Sequence, residues 1–246
     1  MNKEEKTALK EEANKKALEF RKKFNISEKP IDDINSLAFA KEFFVIKFPF
    51  NKEISGAYLE KKGRGKIYKC IYINSNEPIG RMNFSFFHEI YHSYFEKSES
   101  NVSEYNQRNN PIEIKANEFA SQILIPRSYL LRKIEELRKG RYTWYVEMKD
   151  LLTLQKEFKV SFTALIYAID ELQTIKPKNL KTYYKYVYPK YWEELEAESL
   201  KVGNKFNSSN KRIEWPKGFK ENITENINKG IISKDQVEDI FEFFEG

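Results

Sequence analysis

The sequence predicts an α+β fold: a small antiparallel sheet packed on a helical core, with a smaller α/β appendage at the C-terminus. Three observations lead there. Apolar positions recur at helical spacing through most of the chain, a block between residues 43 and 74 alternates instead, and the composition changes after Lys176. With 246 residues, 40% of them hydrophobic and 33% charged, the chain can bury a core beneath a charged surface and still carry a second, smaller unit. We expect a main domain over 1–175 and an appendage over 176–246, the latter a candidate region for recognising a partner.

From Lys3 to Phe24 the apolar residues Ala13, Ala17, Leu18, Phe20 and Phe24 recur among Lys and Glu, which predicts an amphipathic helix. Pro30 and the Asp32-Asp33 pair interrupt it, and a second helix is expected from about Ile34 to Glu42. The segments FFVIKFPF, ISGAYLEKK and KIYKCIYIN read as strands, the last two joined in a hairpin across Gly63 and Gly65. Ser75 to Gly80 is a loop, punctuated by Pro78. Helical spacing returns from Met82 to about Lys97, the polar stretch SESNVSEYNQRNNP reads as a loop, and a helix from Pro111 to Ile125 stops at Pro126. Three further helical stretches cover about 128–138, 145–157 and 161–173. In the appendage, the alternation in YYKYVY predicts a β-hairpin with its tyrosines turned inward, and GNKFNSSNKR is a loop. Two short helical patterns follow, the second ending in an apolar face of Phe241, Phe243 and Phe244.

Composition narrows the function. The single cysteine, Cys70, excludes an internal disulfide and any multi-cysteine zinc site, and its place in an alternating segment predicts an inert, half-buried thiol. No apolar run approaches the roughly 20 residues that span a bilayer, and the charged N-terminus lacks the apolar stretch of a secretory signal. A cytoplasmic protein with no membrane contact is expected. The net charge of +6 comes from lysines scattered among glutamates, which suits a solvated surface. Lysines 176 to 190 interleave with tyrosines, but neither a zinc-finger spacing nor a helix-turn-helix pattern accompanies them, so direct nucleic-acid binding is not expected.

The chemistry lies in the only two histidines, which occur as His88-Glu89-Ile90-Tyr91-His92. Four residues apart on a helix, both imidazoles face one point, and two neutral imidazoles plus a carboxylate suit a tetrahedral zinc with one open position. Glu89, turned by about 100° from His88, faces that open position as a general base rather than a ligand. The flanks NFSFF and Ile90, Tyr91, Tyr94 and Phe95 make the helix apolar, and buried histidines need partners. The third ligand has several candidates: Cys70, Glu96, Glu99, Glu104, Glu113 and Glu118. Glu113 opens the next helix, and Asn117 follows it on the same face, placed to hydrogen-bond a ligating imidazole from outside.

The segment from Arg81 to Pro126 resembles the ImmA/IrrE family of metallopeptidases. The likeness rests on Arg81-x-x-Phe84-Ser85-x-x-His88-Glu89-x-x-His92, Glu113-x-x-Ala116-Asn117-x-Phe119-Ala120 and Leu124-x-Pro126. Weaker likeness appears at Pro30-Ile31-Asp32, Ser55-Gly56, Ile71-Tyr72-Ile73-Asn74, Val160-Ser161 and Gly230-x-Ile232-Ser233. The resemblance implies a zincin-like core in which His88, His92 and Glu113 bind Zn2+, Glu89 is the catalytic acid–base, and Asn117 supports the site. It also implies an endopeptidase acting on a protein, characteristically a helix-turn-helix repressor of a mobile element, a stress response or a toxin–antitoxin pair. Two residues depart from the family pattern: Tyr91 stands where glycine is usual, and Lys115 where an acidic residue is common.

Peptide hydrolysis also needs an oxyanion stabiliser, for which Tyr91, Tyr105 and Tyr129 are the nearby tyrosines. If the strand ending at Asn74 were a sheet edge beside the metal, Ile71, Ile73 and Asn74 would bind an extended substrate by strand addition. The alternative reading is a non-cleaving, zinc-containing regulatory protein that sequesters a repressor or antitoxin.

Overall fold

The computed structural model describes residues 1–34, 37–49, 54–63, 65–96, 100–104, 110–140, 144–173, 175–216 and 218–245. Glu99 and Tyr105 lie outside them, and the side chains of Glu104, Phe241, Phe243 and Phe244 lie outside the description as well. Helix α1 (Lys3–Lys23) opens with a reciprocal cap between Asn2 and Glu5. It buries Ala13, Ala17 and Phe20 against α3 (Pro111–Leu124), while Leu18 faces water, so the apolar stripe is narrower than the sequence predicts. Where a helix is expected from Ile34, the described residues form a short 3-10 turn, Ala38–Glu42, before the first strand; it buries Phe39, and positions 35 and 36 of the expected helix lie outside the described residues.

Strands β1 (Phe43–Phe48), β2 (Ile54–Gly63), β3 (Lys66–Asn74) and β4 (Ser100–Glu104) form one sheet in the order β1-β3-β2-β4. The α+β class is as expected, but the sheet is mixed. β2 and β3 make the antiparallel hairpin, whereas β1 lies parallel to β3, with Phe43 opposite Lys69. β4 comes from the polar stretch expected to be a loop; its pairing with β2 uses only backbone groups, which a polar sequence supplies equally well.

Helix α2 (Ile79–Phe95) runs between the sheet and α3 and is buried nearly all round from Phe86 to His92. Its second residue is Gly80 for a steric reason. A Cβ there would sit 2.3 Å from the backbone carbon and oxygen of Val160. Helices α4 (Arg127–Arg138), α5 (Met148–Phe158) and α6 (Phe162–Glu171) follow, with Lys159 in the left-handed conformation closing α5.

The C-terminal segment is helical, which corrects the expected α/β appendage. Leu180–Val187 and Pro189–Tyr191 are 3-10 turns, and α7 (Trp192–Lys201), α8 (Phe219–Asn228) and α9 (Lys234–Glu245) are helices. Among the described residues beyond 175 the only β pairing is a single bridge, Lys47 with Glu214. The tyrosines explain the error. Leu180, Tyr183 and Tyr186 turn inward at intervals of three, which fits a 3-10 turn as well as YYKYVY fits alternation. Residues 204–214 form a strap along the core. Asn204, Asn207 and Ser199 hydrogen-bond around Gln155 of α5, and Gln155, Asn204 and Ser199 are wholly buried. Past this point the carbonyls of Phe206 and Ser208 accept the N–H groups of Gly80 and Ile79, both at 2.9 Å. Pro78 gives α2 no side-chain cap, so the strap supplies one.

Candidate metal centre

Helix α2 carries His88 and His92 on one face, and α3 delivers Glu113 from its first turn. Asn110 caps α3 and Pro111 sets its first turn, which fixes where Glu113 emerges. The two Nε2 atoms lie 3.0 Å apart, and Glu113 places its oxygens 3.1 Å from His88 Nε2 and 3.5 Å from His92 Nε2. All three side chains are buried.

The outer ring nitrogens fix the tautomers. His88 Nδ1 is 3.0 Å from Asn117 Oδ1, and His92 Nδ1 is 2.8 Å from Glu96 Oε2. A carboxylate and an amide oxygen only accept, so each Nδ1 donates, and in the neutral ring each Nε2 keeps its lone pair, turned inward. Two lone pairs and a carboxylate thus converge on one point. That donor set fits a divalent cation, which would supply the positive charge that buried carboxylates require.

The titration of the group reflects the same crowding. Burial lowers the His88 pKa, but the hydrogen bond to Glu113 and the charges of Glu89 and Glu113 outweigh it and hold the imidazole above its ordinary value. His92 goes the other way, pushed down by burial and by His88 against the pull of Glu96 and Glu113. Burial raises the Glu113 carboxyl, yet the two imidazoles bring it below the usual glutamate value.

Glu89 is fully buried beside the pair and lies against β2 at Gly56, where a Cβ would come within 2.9 Å of its Oε1. Residues 41–170, more than half of the chain, match the Peptidase_M78 family, described as the IrrE N-terminal-like domain. The chain belongs to this IrrE N-terminal-like peptidase family. Among curated proteins none matches it. The family region contains β1–β4 and α2–α6 and ends before the strap that caps α2.

Within the IrrE-like region the sequence-derived positions fare unevenly. His88, His92, Glu113 and Asn117 come together. Of the other ligand candidates, Glu118 is engaged by Lys10 at 3.0 Å and by Gln122, and Glu96 touches His92 on the ring nitrogen that faces away from the convergence point. Cys70 alternates with buried Ile71 on β3 and stands opposite Phe44 and Leu59, and burial raises its thiol pKa, as suits an inert side chain.

Ile71, Ile73 and Asn74 do not line an open edge. β3 lies inside the sheet with β1 and β2 on its two sides, so its backbone groups are already paired. Ile71 and Ile73 are core residues, and Asn74 donates to the Ile54 carbonyl and accepts from the Asn76 N–H. Tyr91 sets its ring edge-to-face against that of His92, 6.0 Å between centroids. It packs on Phe95 and Phe119 and takes a hydrogen bond from Lys16 of α1. Tyr129 donates to Glu157, 2.6 Å away. Lys115 reaches Glu12 on α1.

Three roles escaped the sequence reading: Glu96 as the outer partner of His92 rather than a ligand, Gly56 as the wall behind Glu89, and the strap carbonyls as the cap of α2. Only Glu96 carried a usable signal, since it follows His92 at the four-residue spacing that singled out Asn117 after Glu113.

Proposed function

We propose that the protein is a zinc-dependent endopeptidase acting on a protein substrate, with a helix-turn-helix repressor of a mobile element, a stress response or a toxin–antitoxin pair as the favoured class. The observation that carries the reading is the convergence of His88 Nε2, His92 Nε2 and Glu113 with both Nδ1 atoms donated outward. Membership of a peptidase family supports the hydrolytic part. In this reading His88, His92 and Glu113 hold the zinc, which supplies Lewis-acid activation of water and of the scissile carbonyl. Glu89 accepts the proton of the attacking water on its carboxylate and returns it to the departing amine nitrogen. Asn117 keeps the His88 ring in its ligating tautomer. The helical segment beyond 175 lies outside the family match and is the part we assign to recognition of the partner. No helix among the described residues is long and apolar enough to cross a membrane, which accords with a cytoplasmic substrate.

The test separates metal from catalysis. His92→Ala is expected to lose bound zinc, measured by atomic emission on the purified protein. Glu89→Gln is expected to keep zinc and to lose at least about 100-fold in cleavage, because an amide cannot take the proton. Mass spectrometry of candidate helix-turn-helix repressors incubated with the protein reads the cleavage. Full metal content in His92→Ala, or undiminished cleavage by Glu89→Gln, overturns the respective assignment.

A further inference from the structure

We propose that Glu96 is a positioning residue of the metal centre, its carboxylate setting the orientation and donor strength of His92. The inference rests on the metal reading above. Glu96 Oε2 lies 2.8 Å from Nδ1 of His92, and its side chain is only 13% exposed. A glutamate at this place needs an explanation. Glu96 is the C-cap of α2, where the helix dipole presents its negative end and disfavours a carboxylate. Helix capping therefore does not account for it, and extension into solvent would be the lower-energy course for an unengaged glutamate. The side chain instead turns back four residues to the imidazole.

The two ligating rings are held differently. His88 is oriented by the neutral amide of Asn117, and His92 by a carboxylate. A hydrogen bond to an ionised acceptor is roughly twice as strong as a neutral one, and it polarises the ring so that Nε2 becomes a better donor to a cation. Glu96 thus gives His92 Nε2 more donor strength than a neutral partner at Nδ1 would. It touches neither substrate nor reacting atoms.

The experiment uses the full chain and reads zinc affinity by chelator competition, the visible spectrum after cobalt loading, and thermal unfolding of the metal-free protein. Glu96→Gln is expected to weaken zinc about 10-fold and Glu96→Ala up to about 100-fold, the range typical for lost outer partners of ligating histidines. The cobalt bands should shift in both, while the metal-free protein still unfolds in one transition with a modestly lowered midpoint, because the relief of a carboxylate at a helix C-terminus partly offsets the lost hydrogen bond to His92. Wild-type zinc affinity and an unshifted cobalt spectrum in Glu96→Gln would overturn the proposal. A wild-type chain that binds no zinc would overturn the metal centre, and this inference with it.

Discussion

At Gly56 one missing methyl group decides where Glu89, the proposed general base, sits. A Cβ there would lie 2.9 Å from Glu89 Oε1, 3.3 Å from its Cγ and 3.2 Å from the Tyr72 carbonyl oxygen. The Tyr72 backbone is fixed within the hairpin, so the glutamate must give way. Displacement of a catalytic group by about 1 Å costs on the order of 100-fold in rate. Gly56→Ala is therefore expected to retain zinc stoichiometry and lose about 100-fold in cleavage, measured side by side on one preparation. The residues of the candidate metal centre were largely legible because helical spacing is a local rule: His88 with His92, and Glu113 with Asn117, each follow it. Gly56 was not legible as a wall, because what it touches lies 33 positions away in the sequence and only the folded sheet brings it there.

Among the elements, α2 is the most tightly constrained, since it bears both imidazoles and the base while touching the sheet, α3 and the strap. Its first turn approaches the Val160 backbone so closely that Gly80→Ala would place a methyl group 2.3 Å from main-chain atoms, which cannot rotate aside. We expect a loss of about 3 kcal/mol, the upper part of the range for overpacking, read from the shift of the urea midpoint at unchanged slope. Long amphipathic helices were legible from their period, and α1, α3, α4, α5 and α6 appear within a few residues of where the pattern puts them. Short elements were not. β4 has a polar sequence and exists through backbone pairing, the turn at Ala38–Glu42 is too brief for a period to show, and the Leu180–Val187 tyrosines satisfy two periodicities at once.

For the whole molecule, the strap makes α2, which carries the candidate metal centre, depend on residues far beyond the family match. Gln155 holds Asn204 and Asn207, and the same stretch brings the Phe206 and Ser208 carbonyls to α2. Gln155→Leu leaves buried amide groups without their partner, at a cost of about 2 kcal/mol. We expect lower thermal stability together with weaker zinc retention, measured by calorimetry and chelator competition; stability loss with fully native zinc affinity would uncouple the strap from the site. Nothing in the sequence advertised this tie, because GNKFNSSNKR is polar and rich in turn formers, and its role comes from three-dimensional neighbours.

The sheet order also constrains the path by which the chain reaches this state. Among the described strands β1 pairs with β3, which is made later and sits across an intervening strand in the sequence. The edge that receives β1 therefore does not exist until β2 and β3 have zipped together around their short turn, a local event that precedes long-range closure. In pulse-labelled refolding, the amides shared by Ile67–Tyr72 and Ala57–Lys62 should be shielded from exchange before those of Phe44 and Ile46, which alternate with the Lys47 N–H that turns to Glu214.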